Sequence, residues 1–326
     1  MDGMGLVMAG GGGKGAYQIG VWKYLRETGL DRFVRGVSGT SVGALNAALF
    51  ASGDLDQAEM IWRNIRPELI LTPRNYSKEE AAGWLAETGI SVSAEDLAPA
   101  VTERSSSLAF SRDGLLAIMR QGVNFPAIQN APIPCFATCL TVPGLEVRRF
   151  DLRRYAPEDA QSILLASSAI PLVFDTVSIE GVSYCDGGVP GLGDNVPIAP
   201  LYEMDLRYIL VVNLTRDAVA DHAKFPGAKL IEITPQEDLG GLTSGTLDFT
   251  AAGAAERIGQ GYRDTKKSLG SFVEAALIHR QNQMIFQAFE ESERKYQDRL
   301  TMRRAQKVQS QREQDELSEE FAMSDN

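Results

Sequence analysis

The chain has few of the residues that most often staple a fold or hold a metal. Among its 326 residues there are three cysteines, Cys135, Cys139 and Cys185, and two histidines, His222 and His279. An odd, sparse cysteine set does not build a disulfide framework and suits a reducing compartment. The near pair reads C-F-A-T-C, not the C-x-x-C of zinc sites, so no metal site is expected. No apolar run long enough to span a membrane is free of charge. There is no Lys or Arg before Lys14, and the glycines from Gly10 to Gly15 interrupt any apolar stretch, unlike a secretory leader. A cytoplasmic protein is therefore expected, peripheral at a membrane at most, with export by a signal-peptide-independent route left open. Positive charge is also short: the net charge is −11. That argues against nucleic acid as a partner and gives no overall attraction to an anionic membrane.

What is present is apolar residue in quantity, 44% of the chain, enough for one large core with additions. "GLVMA" reads as a buried strand, followed by a glycine turn and a helix from about Tyr17 to Glu27. "FVRGV" predicts a second strand, and "GTSVGALNAALFASGD" a sharp turn into a second helix. Strand, turn and helix in repetition predict a parallel sheet with crossover helices. "PEDAQSILLASSA" predicts a helix with acids in its first turn. "TVSIEGVSYCDGG" predicts a hairpin about Glu180-Gly181, and "YILVVNLT" and "KLIEITP" further buried strands. Residues 1–275 are expected to form one domain, in which about 71–129 is less orderly and could supply a lid. Residues 276–326 form a helical extension. From His279 to Arg312 it has 8 basic and 4 acidic residues, and from Glu313 to Asn326 it has 6 acidic and no basic ones. The basic stretch suits a helix packed on the body or one that meets a membrane surface or a partner. The acidic end carries a disorder signature. Oligomeric state is not encoded in any recognisable pattern.

The glycine run invites three readings. Gly10, Gly12 and Gly15 satisfy G-x-G-x-x-G between a strand and a helix, and Asp31 follows at the spacing of a ribose-binding acid, so a dinucleotide-dependent oxidoreductase is one. A phosphate-binding P-loop needs Ser or Thr after Gly-Lys, and here Gly15 follows Lys14, which excludes it. The third is an oxyanion hole, in which consecutive glycine amides and a helix start face one space. Downstream, Gly39-Thr40-Ser41-Val42-Gly43 is a G-x-S-x-G between an apolar run and a helix, the setting of a nucleophile elbow. Asp186-Gly187-Gly188 ends a predicted strand. A binding module with a relict site is the non-enzymatic alternative.

With GGGGKG (Gly10–Gly15), GTSVG (Gly39–Gly43) and DGG (Asp186–Gly188) together, the sequence resembles the patatin-like phospholipase family. "ASSAIP" (Ala166–Pro171), "DNVPI" (Asp194–Ile198) and "LDFTAAGAAERIGQGYRDT" are similar to family sequence too. The resemblance covers roughly Gly3 to Leu269 and is weakest from Leu71 to Gln129. It departs at "VPGLGD", a longer link than usual between Gly188 and Asn195.

The resemblance implies an α/β fold, with a mostly parallel central sheet flanked by helices on both faces and a helical C-terminal extension. It implies a lipid acyl hydrolase of phospholipase A or lysophospholipase type that uses no cofactor. A general esterase, thioesterase or acyltransferase with the same site is the alternative. Ser41 and Asp186 would form a catalytic dyad and the amides of Gly11, Gly12 and Gly13 an oxyanion hole. Gly10, Lys14, Gly15, Gly39, Gly43, Gly187 and Gly188 would support the motifs. The substrate would be a phospholipid or another acyl ester, with peripheral membrane contact as an accompaniment. Leu45 and Phe50, near Ser41, are candidates for lining an acyl site. A Ser-His-Asp triad would instead need His222 or His279. An aspartate with an ordinary pKa of about 3.9 would remain a base well below neutrality, whereas a histidine base would be lost near pH 6.5.

Overall fold

The computed structural model describes residues 3–70, 72–73, 110–171 and 173–324. Most of the stretch expected to be less orderly, with any lid, lies outside the described residues. The strands are β1 (Met4–Met8), β2 (Val34–Thr40), β3 (Thr72–Pro73), β4 (Phe110–Ser111), β5 (Cys135–Val142), β6 (Val147–Asp151), β7 (Val177–Ile179), β8 (Val182–Asp186), β9 (Tyr208–Val212) and β10 (Lys229–Ile233). The helices are α1 (Ala16–Thr28), α2 (Val42–Ser52), α3 (Leu55–Asn64), α4 (Pro67–Ile70), α5 (Asp113–Gly122), α6 (Phe125–Gln129), α7 (Pro157–Ser167), α8 (Ala199–Tyr202) and α9 (Ala251–Ser324). The chain forms two compact units, residues 1–268 and 269–326.

In the first unit a central sheet runs β10-β9-β1-β2-β5-β8-β7, with β6 also paired to β5. The five strands from β10 to β5 are mutually parallel, while β6, β7 and β8 join by antiparallel pairing. β1 and β9 are apolar without alternation because neighbouring side chains face opposite sides and both sides are covered. Leu6, Val7 and Met8 are all buried, as are Ile209 to Val212. Val7, Ile209 and Val211 pack with Ile198 and Leu201, beside α8. The β7–β8 turn has positive φ at both Glu180 and Gly181, the twist that a two-residue hairpin requires. Pro157 opens α7 and Glu158 and Asp159 fill its first turn, where a fixed φ and negative charge suit a helix start.

Two features of this topology place the site. From β1 the chain crosses to β2 on one side, and β9 later pairs on the other, so a crevice opens beyond the C-terminal end of β1. The second feature is β5. Its edge pairs first with β2, Thr40 opposite Thr138, and then with β8, Asp186 opposite Cys139. The ends of β2 and β8 thus meet on consecutive residues of one strand. β6 occupies the other edge of β5.

The second unit is the remainder of α9. The backbone is helical through the acidic end as far as Ser324. Ile278, Ile285, Phe289 and Tyr296 recur at the spacing of one helix face and are all exposed. Arg303 and Lys307 continue the same stripe and are exposed as well.

Candidate active site

Ser41 is the hinge between β2 and α2. Its φ is 56° and its ψ −128°, a conformation that costs a non-glycine residue about 1–3 kcal/mol and persists only when its surroundings hold it. The tight approach behind the turn needs a residue without a side chain. A Cβ on Gly43 would stand 2.1 Å from the Met8 carbonyl oxygen. The Ser41 amide donates to the Ser167 hydroxyl at 2.9 Å, and that hydroxyl donates to the Thr138 carbonyl at 2.6 Å. Ser167, at the end of α7, therefore ties the hinge to β5. The N-terminus of α2 starts at Val42, so its unpaired amides and dipole add positive potential beside Ser41.

The Ser41 side chain lies near enough to the Asp186 carboxyl to pull its pKa down. The Gly188 amide donates to Asp186 Oδ1 at 2.7 Å. Asp186 is 5% exposed and Ser41 6%. Burial pushes the Asp186 carboxyl up from 3.8 to about 6, against the pull of the Ser41 side chain, the Gly188 amide and the Arg112 charge. This corrects the expectation of an ordinary carboxylate pKa, which ignored desolvation. Arg112 is buried beside the site, donating to Ser168 Oγ at 3.3 Å and lying over the Phe174 ring at 5.3 Å.

The glycine turn follows β1 and runs into a short 3₁₀ helix, Gly12–Gly15. The first amides of a helix have no acceptor within it, so the amides at the start of this turn have no intrahelical partner. Gly12 has a positive φ of 56°, and a Cβ there would stand 2.1 Å from the Thr246 carbonyl oxygen. The segment that presses on the turn is held by buried Arg257, which donates to Ser244 O at 2.8 Å and to Asp248 Oδ2 at 2.7 Å. Lys14 lies half-buried under the same segment. Burial lowers its pKa, Asp238 opposes that, and Arg257 adds to it.

Asn195 joins the turns. Its side chain donates to Gly10 O at 3.2 Å, and its own carbonyl accepts from the Gly10 amide at 3.1 Å. The Thr40 hydroxyl donates to Asp194 O at 2.7 Å and the Ser38 hydroxyl to Pro197 O at 2.6 Å. The long "VPGLGD" link closes on itself, with the Gly193 amide donating to Val189 O and the Asp194 amide to Gly187 O. The link is thus a closed loop between Gly187 and Asp194.

An apolar cavity has Gly12 and Ser41 in its wall. Val42, Leu45, Asn46 and Leu49 line it from one face of α2, a span of about 10 Å at the rise of a helix. Trp62, Met119 and Phe249 are among the residues that close it. Leu45 was expected here. Phe50 was too, but it packs on Trp22, with ring centroids 4.9 Å apart, because it lies off the lining face.

Asp31 does not meet the turn. It precedes β2, whereas the turn follows β1, and the two strands are parallel. The two features stand at opposite ends of the sheet, a strand length of roughly 23 Å apart, and the Arg26 guanidinium engages Asp31. That separation removes the geometric basis of the dinucleotide reading. Nor is His222 among the residues that line the cavity. Exposed His222 shares a hydrogen bond of 3.0 Å with Glu232, and exposed His279 one of 3.1 Å with Gln283. The cysteines are free and buried. Desolvation raises Cys185 to about 12, so its thiol stays protonated. Among the described residues no cluster of His, Cys, Asp and Glu could hold a metal, and no helix is long and apolar enough to cross a membrane.

Sequence reasoning missed Gln18, Asn46, Trp62, Ser167 and Arg257. Each acts through a partner distant in sequence, which no local pattern announces.

The family model described as patatin-like phospholipase matches residues 6–202. An uncharacterized NTE family protein of Mycobacterium bovis is 27% identical over 209 residues, 64% of this chain and 48% of that protein. The lysophospholipase NTE1 of Mycosarcoma maydis is 27% identical over 211 residues, 65% of this chain and 10% of that protein. The chain thus spans half or less of the length of these relatives. Among solved structures, VipD from Legionella pneumophila aligns with 83% of this chain and 67% of its own, at 15% identity and a TM-score of 0.44.

Proposed function

The chain belongs to the patatin-like phospholipase family, and on that premise we propose that it is a lipid acyl hydrolase that cleaves ester bonds of phospholipids or lysophospholipids through Ser41 and Asp186. The observation that carries the reading is a strained serine beside a buried carboxylate, in the wall of an apolar cavity. The cavity suits an acyl chain, and the NTE1 relative is itself named a lysophospholipase.

In this reading an acyl chain lies along α2 with its ester carbonyl at Ser41. The hydroxyl oxygen attacks the carbonyl carbon while its proton passes to Asp186. A hydroxyl is far too weak an acid for a carboxylate to ionise beforehand, so transfer accompanies attack. The carbonyl oxygen becomes an oxyanion, held by the amides of Gly11, Gly12 and Gly13, each good donor contributing about 2.7–4 kcal/mol. The intermediate collapses, the ester C–O bond breaks, and Asp186 returns the proton to the leaving alcohol. A water then attacks the acyl-enzyme with Asp186 as base, releasing the fatty acid and restoring Ser41. Raising the carboxyl toward neutrality strengthens it as a base.

We place the protein in the cytoplasm, with contact to anionic membrane surfaces through the exposed face of residues 278–307. Its apolar half bears Ile285 and Phe289 and its basic half Arg303 and Lys307. The test is mass spectrometry of the products formed from mixed phospholipid vesicles. Free fatty acid and the matching deacylated lipid, absent with Ser41→Ala, support the reading. An unchanged lipid profile with wild-type protein, or equal products from Ser41→Ala, overturns it.

A further inference from the structure

We propose that Trp62, Asn46 and Gln18 form a buried relay that sets the orientation of the glycine turn, making them positioning residues for the oxyanion. The inference rests on the acyl-hydrolase reading. The Trp62 indole N–H donates to Asn46 Oδ1 at 2.9 Å. The Asn46 amide nitrogen donates to Gln18 Oε1 at 2.7 Å and to the Gly15 carbonyl at 2.9 Å. The Gln18 amide nitrogen donates to the Ala9 carbonyl at 2.7 Å. All three side chains are buried: Gln18 is 0% exposed, Asn46 1% and Trp62 4%.

The chain of bonds has one polarity. An indole nitrogen only donates, so the Asn46 oxygen must face it and the Asn46 nitrogen must face Gln18 and Gly15. That leaves the Gln18 oxygen toward Asn46 and its nitrogen toward Ala9. Reversing either amide would bring like partners together in a dry interior, where an unpaired polar group costs about 1–3 kcal/mol. The two backbone acceptors at the end of the relay are the carbonyls of Ala9 and Gly15, the residues that bracket the turn. Each is rigid with its following peptide plane. With both brackets fixed, the amides of Gly11, Gly12 and Gly13 are aimed before substrate arrives, which is the condition for effective oxyanion stabilisation.

The test compares wild type with Trp62→Phe, which keeps an aromatic ring without the donor, and Gln18→Met, which keeps length without the amide and lies outside the cavity lining. The substrate is a soluble acetyl ester, too short to fill the cavity, and the inhibitor is a trifluoromethyl ketone, which binds serine as a tetrahedral oxyanion. In both variants kcat is expected to fall at least ~10-fold with KM within twofold, and inhibitor affinity to fall in step. Kinetic constants and inhibitor affinity within twofold of wild type, with or without a lower Tm, overturn the relay, as does failure of both variants to fold. A wild type that neither hydrolyses the ester nor binds the inhibitor sinks the acyl-hydrolase reading instead, which keeps the two failures apart.

Discussion

Asp186 works against the stability of the fold that holds it. Its carboxyl is raised from 3.8 to about 6 by burial, so the folded state binds this proton more tightly than the unfolded chain does. Its contribution to stability is therefore greatest in acid and declines as pH rises through that window, levelling off above it. Asp186→Asn removes the charge, and is expected to abolish ester hydrolysis while stabilising the protein near pH 8 by about 3 kcal/mol, a gain that vanishes below about pH 4. Chemical denaturation at the two pH values checks this, and equal stability of the two proteins at pH 8 would contradict it. Ser167→Ala leaves the Ser41 amide without its acceptor in a conformation that is already strained. It is expected to lower kcat on a soluble ester by about 10-fold or more, in line with an unpaired buried donor. An unchanged kcat in a folded Ser167→Ala protein would show that the hinge is held by other contacts. Ser41 and Asp186 were legible in the sequence because each sits in a local glycine motif. Ser167 was quoted there only as part of "ASSAIP". Its role depends on a partner 126 residues away, and the Asp186 pKa depends on a burial that no motif records.

At the scale of elements, the sequence shows where strands and helices begin, and less of how they are joined. The β7–β8 hairpin, the start of α7 and the apolar runs of β1 and β9 follow from turn chemistry, capping and pattern. The meeting of β2 and β8 on β5 does not, because β5 reads only as another apolar strand. Yet that meeting is what brings Ser41 to Asp186. The glycine turn shows the same division. Its glycines are plain in the sequence, but the segment of residues 244–248 that covers it, and Arg257 that holds this segment, are not. The cover has a consequence for mutation. Gly12→Ala would combine a positive φ with a Cβ 2.1 Å from a backbone oxygen, and backbone has little freedom to yield. It is expected to destabilise the protein by roughly 2 kcal/mol or more, read as a fall in Tm. A Gly12→Ala protein with unchanged Tm would mean the turn is looser than its packing indicates.

For the molecule as a whole, charge is divided rather than spread. A net charge of −11 repels an anionic surface, but residues 280–312 carry an excess of base. Replacing Arg299, Arg303, Arg304 and Lys307 with Gln is expected to reduce cosedimentation with anionic vesicles, and activity on them, by at least ~10-fold, since each basic residue near such a surface contributes about 1 kcal/mol. Activity on a soluble ester should not change. Equal losses on both substrates would instead assign this helix a role in folding. The whole sequence also has only two histidines, so His222→Ala with His279→Ala leaves a molecule with none. That bears on the dyad, because a carboxylate raised to about 6 titrates close to an ordinary histidine and the pH profile of wild type cannot tell them apart. The deciding measurement is kcat/KM against pH for the histidine-free protein on a soluble ester. If Asp186 is the base, most of the activity remains and its acid limb still falls with an apparent pKa of about 6. Loss of activity in the folded double variant, or disappearance of that limb, would contradict the Ser41–Asp186 dyad.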